Sequence, residues 1–229
     1  MSQVPVIAIR PEPGLSATVK SGRAIGLRIS GYPLFEIQPV GWDAPDPNAF
    51  DALLVGSANV FRHGGYHLAG LRSLPVLAVG KTTATAAKEA GFSVQAIGSG
   101  GLQWLIDAHG SEPAHWLRLA GEEHVPLQLP DNLKLTTRIV YRVEATEIPA
   151  EMAARLESDC IILLHSAAAA RHLVEQCNAH DIDRANVALA ALGPRIIEDL
   201  GEGWMRVECA ESPNEDALLA LAKNMCETI

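Results

Sequence analysis

The chain has 229 residues, 48% of them hydrophobic and 20% charged, with a formal net charge of −9. That is enough apolar material for one large or two small domains, and it argues against disorder. The negative balance disfavours nucleic acid, whose affinity comes from phosphate neutralisation, and the 5% aromatic content disfavours a stacking platform for single strands. The N-terminus, MSQVPVIAIRPEPG, lacks a basic segment followed by a long apolar one, and no run of about 18 apolar residues is present. The expectation is a cytoplasmic protein with no membrane partner. None of the four cysteines (160, 177, 209 and 226) forms a CxxC pair, and the eight histidines show no HExxH spacing. Buried thiols and no metal site are expected.

In chain order, Pro5–Ile9 predicts a strand ending at Arg10-Pro11. An arginine at a strand's carboxyl end faces the usual ligand crevice of α/β proteins, though a solvated arginine reads the same way. Leu15–Ile29 has helical periodicity and stops at Gly31, and Leu34–Val40 is a second strand. A turn-rich stretch, GWDAPDPN (41–48), precedes the strand Phe50–Gly56. Ser57 is placed to cap a helix from Ala58 to about Leu71. Next comes LPVLAVGKTTATAAKEAG (74–91), which reads as strand Pro75–Val79, a tight turn at Gly80, and an Ala-rich helix stopped by Gly91. Lys81, Thr82 and Thr83 stand at the helix start, where backbone N–H groups and hydroxyls favour anions. The plainer reading is that Gly80 makes the turn and Thr82 caps the helix. Strand Val94–Ile97, the turn Gly98-Ser99-Gly100-Gly101 and helix Leu102–Ala108 follow.

Beyond that point, His115–Leu119 predicts a strand closed by Ala120-Gly121-Glu122, and Leu135–Val143 a longer strand with Tyr141 near its end. A helix over Pro149–Ser158 leads to strand Cys160–His165, then Ser166, then a helix over Ala167–His180. Strand Val187–Leu192, the turn Gly193-Pro194-Arg195, a short helix to Leu200, strand Met205–Cys209 and helix Glu215–Cys226 complete the chain.

The two halves resemble each other. LLVGS (53–57), a helix, VLAVG (76–80), a helix and a strand run parallel to ILLHS (162–166), a helix, LAALG (189–193), a helix and a strand. Pro5–Arg10 pairs with His115–Leu119, and Leu34–Val40 with Leu135–Val143. A duplicated βα series of about 110 residues wants two parallel sheets with helices on both faces. Turns of two such units can line one cleft, where Ser57, Thr82, Thr83, Ser166 and Arg195 would offer donors to a polycarboxylate. Neither a complete GxGxxG nor a complete GxxxxGK[ST] is present.

The ordered set of Arg10-Pro11, LLVGSAN (53–59), LAVGKTTATAAKEAG (77–91), RIVYR (138–142), ILLHSA (162–167) and ALGPRIIEDLG (191–201) resembles the uroporphyrinogen-III synthase family over nearly the whole chain. The resemblance implies an α/β fold of two similar domains, each a mostly parallel sheet flanked by helices, joined by a two-stranded linker. One domain would comprise 1–40 plus 147–229 and the other 44–140, with linkers at 41–43 and 141–146. It implies cyclisation of the linear tetrapyrrole hydroxymethylbilane, with inversion of ring D, by a cofactor-independent enzyme without metal, expected to be a monomer. Candidate substrate-binding residues are Arg10, Ser57, Asn59, Lys81, Thr82, Thr83, Gly121, Ser166, Gly193 and Arg195, with Tyr141 as the candidate catalytic donor. Two stretches depart from the family pattern. Pro194-Arg195-Ile196 replaces small or hydroxyl residues, and Gly121–Pro126 lacks an arginine usual a few residues after that glycine. An inactive relative that binds a tetrapyrrole or another anionic ligand is the competing expectation. A periplasmic-type solute binder is disfavoured by the absence of a leader.

Overall fold

A computed structural model describes residues 4–229, so residues 1–3, on which the leader expectation partly rests, lie outside the described residues. The chain divides into two units, one holding the chain through Glu36 together with Ala145–Ile229, the other Ile37–Glu144.

The first unit begins with β1 (Val6–Ala8), α1 (Gly14–Ala24) and β2 (Ile29–Gly31). The predicted helix over 15–29 therefore ends early. Gly26 takes φ +89, and the Leu27 N–H returns to the Gly22 carbonyl at 3.0 Å, which stops the helix and frees the next residues to pair as a strand. Ile29 then lies in register with Val6. β3 (Phe35–Pro39) crosses the boundary into the second unit.

The second unit continues with β4 (Ala52–Val55), α2 (Asn59–His63), β5 (Val76–Val79), α3 (Gly80–Glu89), β6 (Val94–Gly98), α4 (Gly101–His109), β7 (Ala114–Gly121) and β8 (Leu133–Ala145). Here the helix expected over 58–71 is broken. α2 ends at Gly64, Gly65 takes φ +69, and Tyr66–Leu71 forms a 3-10 turn. Only glycine adopts that backbone at little cost, so Gly64-Gly65 acts as a stop.

Returning to the first unit, the chain forms α5 (Ala150–Leu156), β9 (Cys160–Leu164), α6 (Ala167–Ala179), β10 (Val187–Ala191), β11 (Arg206–Cys209) and α7 (Glu215–Thr228). The short helix predicted up to Leu200 is only a 3-10 turn, Pro194–Ile196.

The first sheet has the order β11-β10-β9-β1-β2 and is parallel at every pairing. The second has the order β6-β5-β4-β7-β8-β3, parallel from β6 through β8. Superimposing the two orders matches β1 with β7, β9 with β4, β10 with β5 and β11 with β6. The counterpart of β8 is β2. The correspondence expected between Leu34–Val40 and Leu135–Val143 is thus displaced, because β2 takes the position beside β1.

Both units bury both sheet faces, as parallel sheets require. In the first, Ile7, Ile162 and Leu189 pack with Met152 and Leu173 on one face, and Val6, Ile161 and Ala188 with Leu15 and Leu218 on the other. In the second, Leu53, Val76 and Leu117 pack with Val60 and Ala87, while Leu54, Leu77 and Trp116 pack with Leu105 and Ile106. Each fully buried side chain of this size stabilises the fold by about 1.5–3 kcal/mol. That anchoring holds the turns beyond the strands' carboxyl ends.

Candidate functional site

Those turns carry the predicted residues, in two groups. At the carboxyl edge of the second unit lie Ser57 after β4, Gly80 at the start of α3, and Gly121 at the end of β7. The Ser57 hydroxyl accepts the Asn59 N–H at 3.2 Å, and the Asn59 side-chain carbonyl accepts from Arg62 at 3.3 Å. Gly80 takes φ +75, a backbone that turns β5 directly into α3. Among the described residues no side chain caps α3, so its first N–H groups are left for another acceptor. Thr82 is not a cap. It stands within the first turn and is exposed, as is Lys81. Thr83, expected beside them, is 4% exposed and faces the unit's interior, so packing claims it.

Gly121 and Tyr141 occupy paired positions on β7 and β8, at a register shift after Ala120. The Glu122 N–H donates to the Tyr141 carbonyl at 3.0 Å. The Tyr141 ring is half-buried against the core face of Leu53 and Leu117, with the His63 ring centroid 6.5 Å from its own. Burial, and then the charge of Arg62, hold the His63 imidazole below its ordinary pKa.

At the carboxyl edge of the first unit, Ser166 follows β9 and caps α6, accepting the Ala169 N–H at 3.2 Å. Gly193 follows β10 with φ −175, an extended backbone any residue adopts, and an added Cβ would meet nothing within 4 Å. Arg195, two residues on, is exposed, and among the described residues no hydrogen bond or ion pair engages its guanidinium.

Arg10 is engaged differently from the sequence expectation. Its Nη1 donates to Glu215 at 3.0 Å and lies 3.4 Å from the Thr18 hydroxyl. Thr18, fully buried, donates to the same carboxylate at 2.5 Å, and His165 Nε2 lies 3.2 Å from it. Burial alone would raise the Glu215 pKa, but the hydrogen bonds from His165 and Thr18 and the charges of His165 and Arg10 outweigh it and hold the carboxyl low. Glu215 sits in the first turn of α7, where the helix dipole also favours an anion. The cluster joins β1, α1, β9 and α7. Neither Thr18 nor Glu215 carries a local sequence signal for this role.

Among the described residues no group of histidine, cysteine and acidic side chains has the arrangement of a metal site. No helix among them is long and apolar enough to cross a membrane.

Two α/β units whose sheets share an order over five strands, with glycine and hydroxyl turns along their carboxyl edges, define the class: a two-unit α/β protein with mostly parallel sheets. A sequence model of uroporphyrinogen-III synthase HemD matches residues 16–220. The chain belongs to the uroporphyrinogen-III synthase family. Among solved structures, uroporphyrinogen-III synthetase from Helicobacter pylori 26695 is similar at a TM-score of 0.68 and 16% identity, covering 97% of this chain and 99% of that one. A mutant uroporphyrinogen III synthase from the extremely thermophilic bacterium Thermus thermophilus is similar at a TM-score of 0.50 and 17% identity, covering 99% and 100%. At these identities the likeness concerns the fold. No curated protein sequence matches the chain.

Proposed function

We propose that the chain catalyses its family's reaction, closing hydroxymethylbilane with inversion of ring D and loss of water to give uroporphyrinogen III. The observation that carries this is the family match across residues 16–220. The chemistry asks more for positioning than for acid–base power. Departure of the hydroxymethyl hydroxyl as water leaves an azafulvene cation. Ring D attacks it through an already substituted carbon, and the spiro intermediate rearranges.

In this reading, Ser57, Thr82 and the uncapped N–H groups of α3 receive substrate carboxylates, with Lys81 adding a mobile charge. Their counterparts on the first unit are Ser166, the Gly193 turn and the unengaged Arg195. Thr83 and Arg10 act through packing and through Glu215 respectively. The Tyr141 O–H donates to the departing hydroxyl, with Gly121 making room for its ring.

The test is incubation with enzymatically generated hydroxymethylbilane and chromatographic separation of the type I and type III isomers. Type III product supports the proposal. Type I alone, as in a control without protein, leaves a non-catalytic binder.

A further inference from the structure

Arg118 is a charged side chain for which the reaction above has no use. It lies mid-way along β7 in the run Trp116–Ala120 and is 4% exposed. In register it stands beside Leu54 of β4, itself paired with Leu77 of β5. Alternation along the strand places it on the face of Trp116, where the core is Leu54, Leu77, Leu105 and Ile106. Among the described residues no carboxylate pairs with it. Among the described residues its one hydrogen bond runs from Nη1 to the Val125 carbonyl at 2.9 Å, and its Nε is enclosed with no partner there.

A guanidinium has five N–H donors and stays charged, so burying it against apolar side chains with a single neutral acceptor is costly. Burial pushes its pKa down, which is the electrostatic sign of that cost. Val125, on the segment 122–132 that has no helix or strand, is itself 63% exposed. One carbonyl hydrogen bond is what holds that segment to Arg118. A carboxylate is a stronger partner than a carbonyl and can take two parallel N–H bonds from the fork.

Resting on the tetrapyrrole reading above, we propose that Arg118 is a binding residue for one carboxylate of a tetrapyrrole polycarboxylate, exchanging the Val125 carbonyl for a two-point ion pair. The site is contained in the second unit, on the strand that also ends in Gly121.

The test is a fluorescence titration of the full chain with uroporphyrin III, comparing wild type, Arg118→Gln and Arg118→Lys. Thermal melts and limited proteolysis of the 122–132 segment accompany it. The glutamine variant is expected to bind about 10- to 100-fold more weakly, the scale of a lost charge-assisted pair. Lysine keeps the charge without the fork and is expected to fall between. Wild-type affinity in both variants, with nicking of the segment in the glutamine variant, makes Arg118 a loop anchor and overturns the proposal. Failure of the wild type to bind uroporphyrin III also overturns it. If the glutamine variant does not fold, the lysine variant decides, and unchanged affinity there is fatal. The isomer assay is separate. A chain that yields only type I product while Arg118→Gln weakens uroporphyrin III loses the activity but keeps this site.

Discussion

The Tyr141 ring lies so close to Gly121 that a methyl group at position 121 would stand 2.7 Å from the ring carbons Cε2 and Cζ and 3.0 Å from the phenol oxygen. No real Cβ keeps such a distance, so any side chain there must move the ring. Gly121→Ala should therefore turn Tyr141 away from its present position, at a stability cost of about 1–3 kcal/mol for the overpacking. Turnover should fall by more than that loss of stability explains at a temperature where the variant is folded. The check is kcat against melting temperature, and a variant with wild-type kcat would mean that the ring's position is irrelevant to the chemistry.

Tyr141→Phe isolates the oxygen. The ring continues to pack against Gly121 and the Leu53 and Leu117 face, so the melting temperature should stay near wild type. Loss of one positioned donor should lower turnover by about 10- to 100-fold, no more than the lower bound of the ~10²–10⁴-fold general acid contributions. A fall in turnover that only tracks a fall in stability returns Tyr141 to a packing role.

Replacement of Ser57 and Thr82 together by alanine addresses uniform binding. Neither residue is buried, so folding should be little changed beyond the lost Ser57–Asn59 hydrogen bond. If both hold substrate carboxylates in ground state and transition state alike, KM should rise several-fold while kcat holds. Unaltered steady-state kinetics would remove both from the site.

The chain's local signals account for much of this molecule. Short apolar runs ending in glycine or serine, followed by Ala-rich helices, located most strands of both sheets, and the degenerate repeat located the turns. β2 escaped because Ile29–Gly31 follows α1 so closely that the helical periodicity ran on into it, and its register with Val6 is what makes it a strand. The break in the helix after Ser57 was written in Gly64-Gly65, whose stop signal was outweighed by the apolar residues around it. Pairing across the chain left no local trace. Arg10 and Glu215 meet only because β1 and α7 share one unit, and Thr18 joins them from α1. Arg118 did carry a signal, a charge inside the apolar run WLRLA, but a lone charge does not reveal whether its partner is protein, water or ligand.

The thiols give an independent check of burial. Cys160 and Cys177 are free and buried, and burial first of all pushes their pKa values up to about 12 and about 11. Raised so far, both stay almost wholly as thiols at about pH 8 and should resist alkylation in the native chain. Cys209 and Cys226 are partly accessible and should label first, with burial slowing each. Mass spectrometry after brief native iodoacetamide treatment reads this directly, and early modification of Cys160 or Cys177 would contradict the packing of β9 and α6.

The Glu215 cluster predicts a pH-dependent share of stability. The carboxyl is held below its ordinary value of 4.5 in the folded protein, against the upward pull of burial, by Thr18, His165 and Arg10. Where the unfolded chain binds more protons than the folded one, stability rises with pH. The cluster's contribution is therefore complete above pH 4.5 and disappears as pH falls through the lower, folded value. Glu215→Gln keeps the shape of the side chain and removes its charge. It should cost about 1.5–3 kcal/mol at pH 7, because the Arg10, Thr18 and His165 contacts lose a charged acceptor and Thr18 is fully buried. Urea unfolding of both proteins from about pH 7 to about pH 3 should show curves that converge below pH 4.5. Other acidic groups titrate in both proteins and cancel in the difference. Curves that stay parallel throughout would mean that Glu215 is ordinary in the folded state, and that Arg10 is free to serve a ligand as its place after β1 first suggested.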